Sequence, residues 1–415
     1  MTIDPPLLPP LNKKSITSLV LLLSLFLLGK RFSLFEPGVT TKLMFFYCVG
    51  VFLTAELNGG ATLSGGALLP GLSHYDALTS VFKTLLFLMP FLLGRYFFKD
   101  IIDNKVVFKF LVVTALFYSV FMLFEVRMSP QLHSWVYGFS PTVFAQQVRA
   151  GGFRPFVFIG HGLPLAFWFS TCVMAAATLH KNKVRCSVLS PLMLVCYMLV
   201  VLLLCKTVSA MLYACFALFL IYNLSPTRQL KWVFMFSLTV LLYPLSKILG
   251  LFPTAELVNL IEIFSPERAQ SMEFRFKNEE VLLSRAMERP FFGWGDWGRN
   301  RVYDELGKDI SVTDGKWILE LGMHGFIGFF MYYSILIAPL FYANKAIRYI
   351  QDKNQQYYFS TMAIILLVSL VDSIPNTNMG SIQLLLAGVL MGQSERLLRN
   401  ARSQQKVGKE RARNA

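Results

Sequence analysis

Long apolar stretches recur along this 415-residue chain and decide its architecture. Each is about as long as a helix needs to cross a bilayer core of roughly 30 Å. The stretches do not alternate polar and apolar residues, and backbone groups in lipid must be bonded within their own segment, so helices are favoured over strands. The pattern predicts an all-α, polytopic transmembrane helical bundle of about 11–12 spans, with candidates at 15–29, 38–55, 77–98, 107–125, 155–179, 187–205, 207–223, 232–251, 316–343, 356–374 and 378–394.

One long polar segment, 252–315, interrupts the apolar pattern. Within it, apolar positions among charged ones over 274–287 predict an amphipathic helix on the membrane surface, which Pro290 stops. Gly293 and Gly295 then predict a turn. A large polar segment in a membrane protein is typical of surface chemistry. We therefore divide the chain into N-terminal transmembrane helices, a large outer-face loop, C-terminal transmembrane helices and a basic tail, at 1–251, 252–315, 316–394 and 395–415.

A second irregular segment, Asn58–Tyr75, is rich in glycine and can be interpreted in more than one way. It could hold a span missing from the count above, or be a re-entrant or surface loop. Eleven spans would leave Met1–Lys14 outside, with Lys13 and Lys14 on the side that basic residues disfavour. The span count and the side of the N-terminus stay open at this point.

Composition and charge agree with a membrane protein and orient it. Hydrophobic residues make up 55% of the chain, and the mean hydropathy is +0.53. The formal net charge of +15 is concentrated in short loops and in the tail after Ser394. Because Lys and Arg in short loops stay cytoplasmic, the tail and the loops 181–185, 228–231 and 345–353 are predicted inside. Three segments then lie outside together: 126–154, 205–209 and 252–315.

Several function classes find no support in the sequence. The six cysteines lie in or beside spans without a C-x-x-C pair, and the five dispersed histidines have no metal-site spacing. The sequence contains no phosphate-binding glycine loop, so ATP-driven transport is not supported. It shows no internal repeat, so an inverted-repeat transporter is not supported either. A juxtamembrane basic tail indicates topology and lipid contact, so the bilayer is an expected partner and nucleic acid is not.

Cations near the outer face are the first candidates for chemistry, because basic loops resist export. Arg149 and Arg154 precede a span, and Lys206 lies at the abrupt junction of two others. Guanidinium groups suit phosphate oxygens, although arginines here could also reach lipid headgroups. His161 is expected about two turns inside its span, as an interior histidine or a site residue. Ser209 could donate a hydrogen bond or cap a helix.

The polar segment supplies a second group of candidates. Arg275 is a candidate anion contact, and Asp314 could act as a base or as the N-cap of the helix near Lys316. The other arginines, Arg285, Arg289, Arg299 and Arg301, are expected in surface ion pairs or, less simply, at the site. Trp294, Trp297 and Trp317 are expected as interface anchors, or as surfaces for stacking on sugars.

In sequence order, these motifs resemble a known family. The run that begins at Arg275 and ends in Arg289-Pro290-Phe291-Phe292-Gly293-Trp294-Gly295 is similar to the signature of bacterial O-antigen ligases and of O-antigen and exopolysaccharide polymerases. Asp314-Gly315, followed by Glu320-Leu321-Gly322-Met323-His324-Gly325, resembles that family's next element. Arg149-x-Gly-x-x-Arg154 and Lys206–Ser209 resemble two upstream elements. The resemblance covers roughly 140–330.

This resemblance implies a GT-C-like membrane glycosyltransferase of the bacterial inner membrane, with its active site facing the periplasm. The donor would be a glycan on undecaprenyl pyrophosphate, and a second lipid-linked glycan would be the acceptor. Arginines would replace a metal at the departing diphosphate, so no cofactor is expected. A flippase and a chain-length regulator would be further partners.

Residue roles follow from the same resemblance. Arg154, Lys206 and Arg275 would hold the pyrophosphate, supported by Arg149 and Arg289. Asp314 would orient or deprotonate the acceptor hydroxyl, and the reaction would invert the anomeric centre. The segment 270–289 would be a lid and acceptor groove. His161, Ser209 and His324 are secondary candidates.

Two departures from the family pattern matter, and the first, the loss of the histidine, favours a polymerase over a ligase. Asp314-Gly315 stands where ligases carry His-Asn, and Lys206 stands near the usual arginine of a Ser-Arg element, which keeps the charge without the guanidinium fork. Ligation of glycan to lipid A core or protein remains the first alternative. A transporter or flippase of lipid-linked or anionic sugars is the second.

Overall fold

The computed structural model describes residues 13–27, 35–149, 151–377 and 379–413, and within them the fold is almost entirely helical. The helices are α1 Lys13–Leu27, α2 Val39–Glu56, α3 His74–Phe97, α4 Asn104–Met128, α5 Leu132–Tyr137, α6 Gly162–Lys181, α7 Pro191–Leu204, α8 Val208–Asn223, α9 Pro226–Ser237, α10 Thr239–Ile248, α11 Thr254–Glu262, α12 Pro266–Met287, α13 Lys316–Ala346, α14 Lys353–Asp372 and α15 Ser381–Arg413. The strands form two short hairpins, β1 Thr62–Ser64 with β2 Ala67–Leu69 and β3 Val148–Arg149 with β4 Gly152–Phe153.

Helices coincide with every one of the predicted apolar segments, which confirms the all-α polytopic class. Among the described residues, six helices are long and apolar enough to cross a membrane, and α7 and α8 are shorter apolar helices. The chain is therefore a multi-pass membrane protein. The count of about 11–12 spans stays a prediction. The predicted side of the N-terminus concerns residues 1–12, which lie outside the described residues. The end of the predicted 15–29 segment lies outside them as well.

Residues 1–97, 234–341 and 369–392 form the first of two compact units. Its helices α3 and α15 approach each other so closely that a β-carbon at Gly388 would collide with the carbonyl oxygen of Phe91, and one at Gly392 with that of Arg95. Small residues at such crossings let helix backbones pack without lipid between them. This contact ties the first half of α15 to the N-terminal helices.

The glycine-rich segment Asn58–Tyr75 lies in the same unit and is not a span. It forms the β1–β2 hairpin, in which Gly65 has φ +55°. The Gly66 amide donates to the carbonyl of Asp304 at 2.7 Å, so the hairpin packs on the polar segment. The alternative of a missing twelfth span in this segment is therefore wrong.

The predicted turn after α12 is present, and it is inserted into a break in α13. Gly325 has φ +63° and ψ −166°, which interrupts that helix. The amides of Phe326 and Ile327 donate to the carbonyls of Pro290 and Phe291, at 2.7 and 3.2 Å. In return, the carbonyls of Gly322 and Met323 accept from Trp294 and Gly295, at 2.9 and 2.8 Å. Four hydrogen bonds with the turn therefore replace the helical bonds lost at the break.

Residues 98–233, 342–368 and 393–415 form the second unit. Its centre is α6, which is largely buried against α4, α7 and α8. The second half of α15 belongs here, where Gln393 Nε2 donates to Asn104 Oδ1 at 2.7 Å and Arg396 pairs with Asp100. The predicted basic tail is thus a continuation of α15 as far as Arg413.

The start of α6 differs from the prediction of a span from 155. Pro155 disfavours helix at the preceding residue, and Val157 and Gly160 have φ +46° and +89°. A buried carboxylate, Glu125 of α4, accepts from the amides of Phe156 and Val157 at 2.9 and 2.8 Å and holds this strained backbone. The helix therefore begins only at Gly162.

Candidate functional site

A basic cluster in the second unit contains Arg149, Arg154 and Lys206. Lys206 follows the last turn of α7 in the left-handed region, with φ +52°. From there its Nζ donates to the backbone carbonyl of Arg149 at 2.9 Å. A β-carbon at Gly152 would meet the same Nζ, so the lysine side chain packs directly against the β3–β4 hairpin. The structure thus places the Lys206 ammonium against the backbone of the β3–β4 hairpin, which contains Arg149.

Arg154 lies at the other end of this hairpin and is only 4% exposed. Its amide donates to the carbonyl of Gln147 at 2.7 Å, and its side chain packs on Gly162, the first residue of α6. A guanidinium beside a helix N-terminus adds positive charge to positive partial charge. Both features favour an anion at this place. Arg149, by contrast, is exposed.

The two secondary candidates of this unit have mainly structural positions. His161 is the N-cap of α6, and its Nδ1 accepts from the Leu163 amide at 3.1 Å. The prediction that it lies two turns inside a helix is wrong, because the helix starts later than expected. Ser209 lies half-buried in the first turn of α8, whose N-cap is Thr207.

In the first unit, Arg275 of α12 and Asp314 form an ion pair, with Nε and Oδ2 3.4 Å apart. Both side chains keep contact with solvent, at 36% and 43% exposure. Asp314 lies two residues before α13. That start is anchored because the Lys316 amide donates to the carbonyl of Ser373 at 2.9 Å. The pair is therefore held by structure on both sides but is still open to a ligand.

One turn after Arg275, Glu279 is buried and receives three partners that the sequence did not indicate. Tyr243 Oη donates to its Oε2 at 2.7 Å, Trp317 Nε1 donates to its Oε1 at 3.1 Å, and Lys247 Nζ lies 3.9 Å away. Burial raises the pKa of the Glu279 carboxyl, although the hydrogen bonds from Tyr243 and Trp317 oppose this. A cavity of about 220 Å³ opens beside this carboxylate.

Further along α13, Glu320 gathers another polar cluster. Its carboxylate pairs with Lys316 at 2.5 Å and with His324 Nδ1 at 3.0 Å, and it accepts from Tyr47 Oη at 2.8 Å. Spacing of four residues on both sides places these groups on one helix face. That spacing was a usable signal, yet only His324 was singled out from sequence. In the structure, His324 is a partner of Glu320.

Most arginines of the polar segment hold the fold together. Arg289 Nη1 donates to Asn58 Oδ1 at 2.7 Å and lies over the Trp294 ring. Arg299 is fully buried and donates to the carbonyls of Pro70, Gly60 and Trp294. The expectation of a surface ion pair is therefore wrong for Arg299, and burial lowers the pKa of its guanidinium.

Two other arginines do form the expected kind of pair. Arg285, itself buried, pairs with Glu288, and Arg301 pairs with Asp309, both at 2.5 Å. Burial also lowers the pKa of Arg285. These contacts stabilise the segment around the turn 290–295.

The tryptophans also differ from expectation. Trp317 and Trp294 are 0% and 5% exposed, so neither is an interface anchor. Trp294 Nε1 donates to the carbonyl of Arg285 at 2.8 Å. Trp297 is exposed, as an anchor would be, and donates to Asp76 Oδ1 at 2.8 Å.

Within the described residues, no three His, Cys, Asp or Glu side chains come close enough to hold a metal ion. The metal-independent reaction stays a prediction. In comparisons with known proteins, no family model matches the chain, and no curated protein is significantly similar to it.

Proposed function

We propose that this protein is a membrane glycosyltransferase that joins glycan repeat units carried on undecaprenyl pyrophosphate. The reaction takes place at the outer face of a bacterial inner membrane. The observation that carries this proposal is the solvent-accessible pair of Arg275, in the middle of α12, and Asp314, just before α13, in a multi-pass membrane protein. The order of motifs in the sequence supports the same reaction.

In the proposed step, an acceptor hydroxyl attacks the anomeric carbon of the donor glycan. Asp314 orients this hydroxyl and accepts its proton as the new glycosidic bond forms. The bond between the anomeric carbon and the phosphate oxygen breaks, and lipid pyrophosphate leaves with its electron pair. Arg275 keeps the Asp314 carboxylate in place and contributes positive charge where negative charge develops.

The basic cluster of Arg149, Arg154 and Lys206 in the second unit is proposed, taken by itself, as an anion-binding surface suited to a diphosphate. A diphosphate offers several anionic oxygens, and guanidinium groups bind such oxygens in pairs. Arg154 supports this role because it is buried at a helix N-terminus, where an anion is favoured electrostatically. Arg289 is not assigned to the diphosphate, because its guanidinium is bound to Asn58.

The test is polymer length in cells whose own copy is deleted and replaced by variants. Asp314→Asn and Arg275→Ala should leave single repeats on the surface glycan, with a loss of polymer of about a hundredfold or more, as for a general base or charge stabiliser. Matched controls on α12, Glu267→Gln and Arg268→Ala, are exposed and should leave long polymer intact. Unchanged polymer in both site variants would contradict the assignment.

Gel electrophoresis of the surface glycan from cells that lack the protein separates the polymerase from the ligase. Loss of a ligase leaves no repeat attached to lipid A core, whereas loss of a polymerase leaves one. An assay on purified protein in detergent separates an enzyme from a transporter, because transport needs two compartments and a detergent solution has only one. Conversion of lipid-linked repeats to longer chains there requires an enzyme.

A further inference from the structure

The cavity beside Glu279 lies in the first unit and is enclosed by parts of four helices. Its lining consists of Lys247, Gly250, Phe252, Thr254, Glu279, Glu280, Leu283 and Trp317, around about 220 Å³. A space of this size admits one small polar ring.

The walls combine apolar and polar groups in a way that fits a sugar. Phe252 offers a half-buried ring, backed by the fully buried Trp317. Glu279 is held rigid by Tyr243 and Trp317, and each of its oxygens retains a further lone pair for a hydroxyl donor. Sugar rings present C–H faces to aromatic rings and hydroxyl groups to carboxylates.

Charge decides which sugars the cavity accepts. Two carboxylates, Glu279 and Glu280, face one ammonium, Lys247, so the formal charge of the lining is +1 − 2 = −1. Lys247 is itself occupied, because it lies near Glu279 and 4.4 Å from the centre of the Phe276 ring. An acidic sugar would meet the exposed carboxylate of Glu280, and the nearby Lys247 ammonium already interacts with both Glu279 and Glu280.

The cavity also lies next to the proposed chemistry. Arg275 and Glu279 are four residues apart on α12 and share a face of that helix. Trp317 follows Asp314 by three residues at the start of α13. The cavity thus has one lining residue a helical turn from Arg275 and another three residues from Asp314, although neither member of the ion pair lines it.

We propose that this cavity is the acceptor-sugar subsite, and that it selects neutral or amine-bearing sugars and rejects uronic acids. The role of the bound sugar as acceptor rests on the proposed function, but the selectivity of the cavity is a binding property that can be measured by itself. Glu279 is the group that holds the ring, and Glu280 is the group that rejects a carboxylate.

The selectivity is tested by saturation-transfer NMR on the purified full-length protein in detergent. The probes are methyl glucoside, methyl glucosaminide and methyl glucuronide. The first two should receive saturation and the glucuronide should not. Glu279→Gln should weaken binding of both by about tenfold, the loss expected for hydrogen bonds to a charged group. Glu280→Gln should admit the glucuronide, and Glu267→Gln should change nothing.

The selectivity is overturned if the wild-type protein binds the glucuronide as well as the glucoside, or if neither is bound. It is also overturned if both cavity variants behave like Glu267→Gln. Because Glu280 is exposed, its variant tests the inference even if Glu279→Gln does not fold.

The subsite and the proposed function can fail separately. Selective sugar binding together with intact polymer in Asp314→Asn cells would sink the glycosyltransferase proposal and leave the sugar site. Lost polymer in those cells without selective binding would sink the subsite and leave the enzyme.

Discussion

Glu125 illustrates how one buried carboxylate can organise a binding segment. Its Oε1 accepts from the Leu132 amide at 3.1 Å, and its Oε2 accepts from Phe156 and Val157. These three bonds fix the chain on both sides of the loop that carries Arg149 and Arg154. The carboxylate is fully buried, so no water replaces it if it is lost.

We expect Glu125→Ala to destabilise the protein by about 3 kcal/mol, because two buried amides and one partly buried amide lose their acceptor, and each buried one costs about 1–3 kcal/mol. Glu125→Gln should cost less, since one side-chain oxygen can still accept. Thermal unfolding in detergent measures the cost, and hydrogen exchange at Phe156 and Val157 locates it. If exchange at these amides is unchanged in Glu125→Ala, the carboxylate does not hold the loop. The exposed Glu256→Gln serves as the control.

Residues of this kind show how much of the candidate site can be predicted from the sequence. Arg275 and Asp314 could be predicted as neighbours in function because each stands beside a recognisable motif. Glu125 and Glu279 could not be separated from ordinary charged residues, since their importance comes from partners distant in sequence, such as Tyr243 for Glu279. For Glu320 the i, i+4 spacing with Lys316 and His324 was visible and was not used.

At the scale of elements, the insertion of the 290–295 turn into α13 joins two motifs that are 30 or so residues apart in the chain. Apolar periodicity predicted α12, the turn and α13 individually, because each follows from local preferences. It could not predict the break at Gly325, since a lone glycine in an apolar helix is ordinary in membrane proteins. The turn inserted at this break holds the end of α12 against α13. Arg275 lies on α12, and Asp314 lies just before α13.

Gly325→Ala should disturb this junction more than an equivalent change elsewhere. A β-carbon at Gly325 would collide with the carbonyl group of Phe291, and the combination of φ +63° with ψ −166° is adopted almost only by glycine. Gly138→Ala is the control for a positive φ alone, because Gly138 has φ +78° and ψ 3° and a β-carbon there has no neighbour within 4 Å.

Thermal unfolding should therefore show a drop of about 1 kcal/mol for Gly138→Ala and of several for Gly325→Ala. Exchange of the Phe326 and Ile327 amides should rise only in Gly325→Ala. Equal losses of stability in the two variants would mean that the inserted turn moves to accommodate the added methyl group without further loss of stability. The turn would then not fix α12 against α13.

At the scale of the whole molecule, the distribution of charge orients the chain in its membrane. The loop 181–185 and the second half of α15 are rich in Lys and Arg, which are retained on the cytoplasmic side. The polar segment 252–315 is predicted on the opposite side, where the proposed reaction would take place. Helices alone do not determine this, because a bundle has the same hydropathy in either orientation.

Thiol labelling in intact cells tests the orientation directly. The six native cysteines are removed first, since all are free. Single cysteines then replace Ser271 in α12, Arg185 in the loop after α6 and Ser403 in α15, which are all exposed. A membrane-impermeant maleimide should label Ser271→Cys in intact cells, but Arg185→Cys and Ser403→Cys only after the membrane is opened. Labelling of Ser403→Cys in intact cells would place the basic tail outside. If Ser271→Cys were instead protected, Asp314 would be on the cytoplasmic side, where exported glycans cannot reach it.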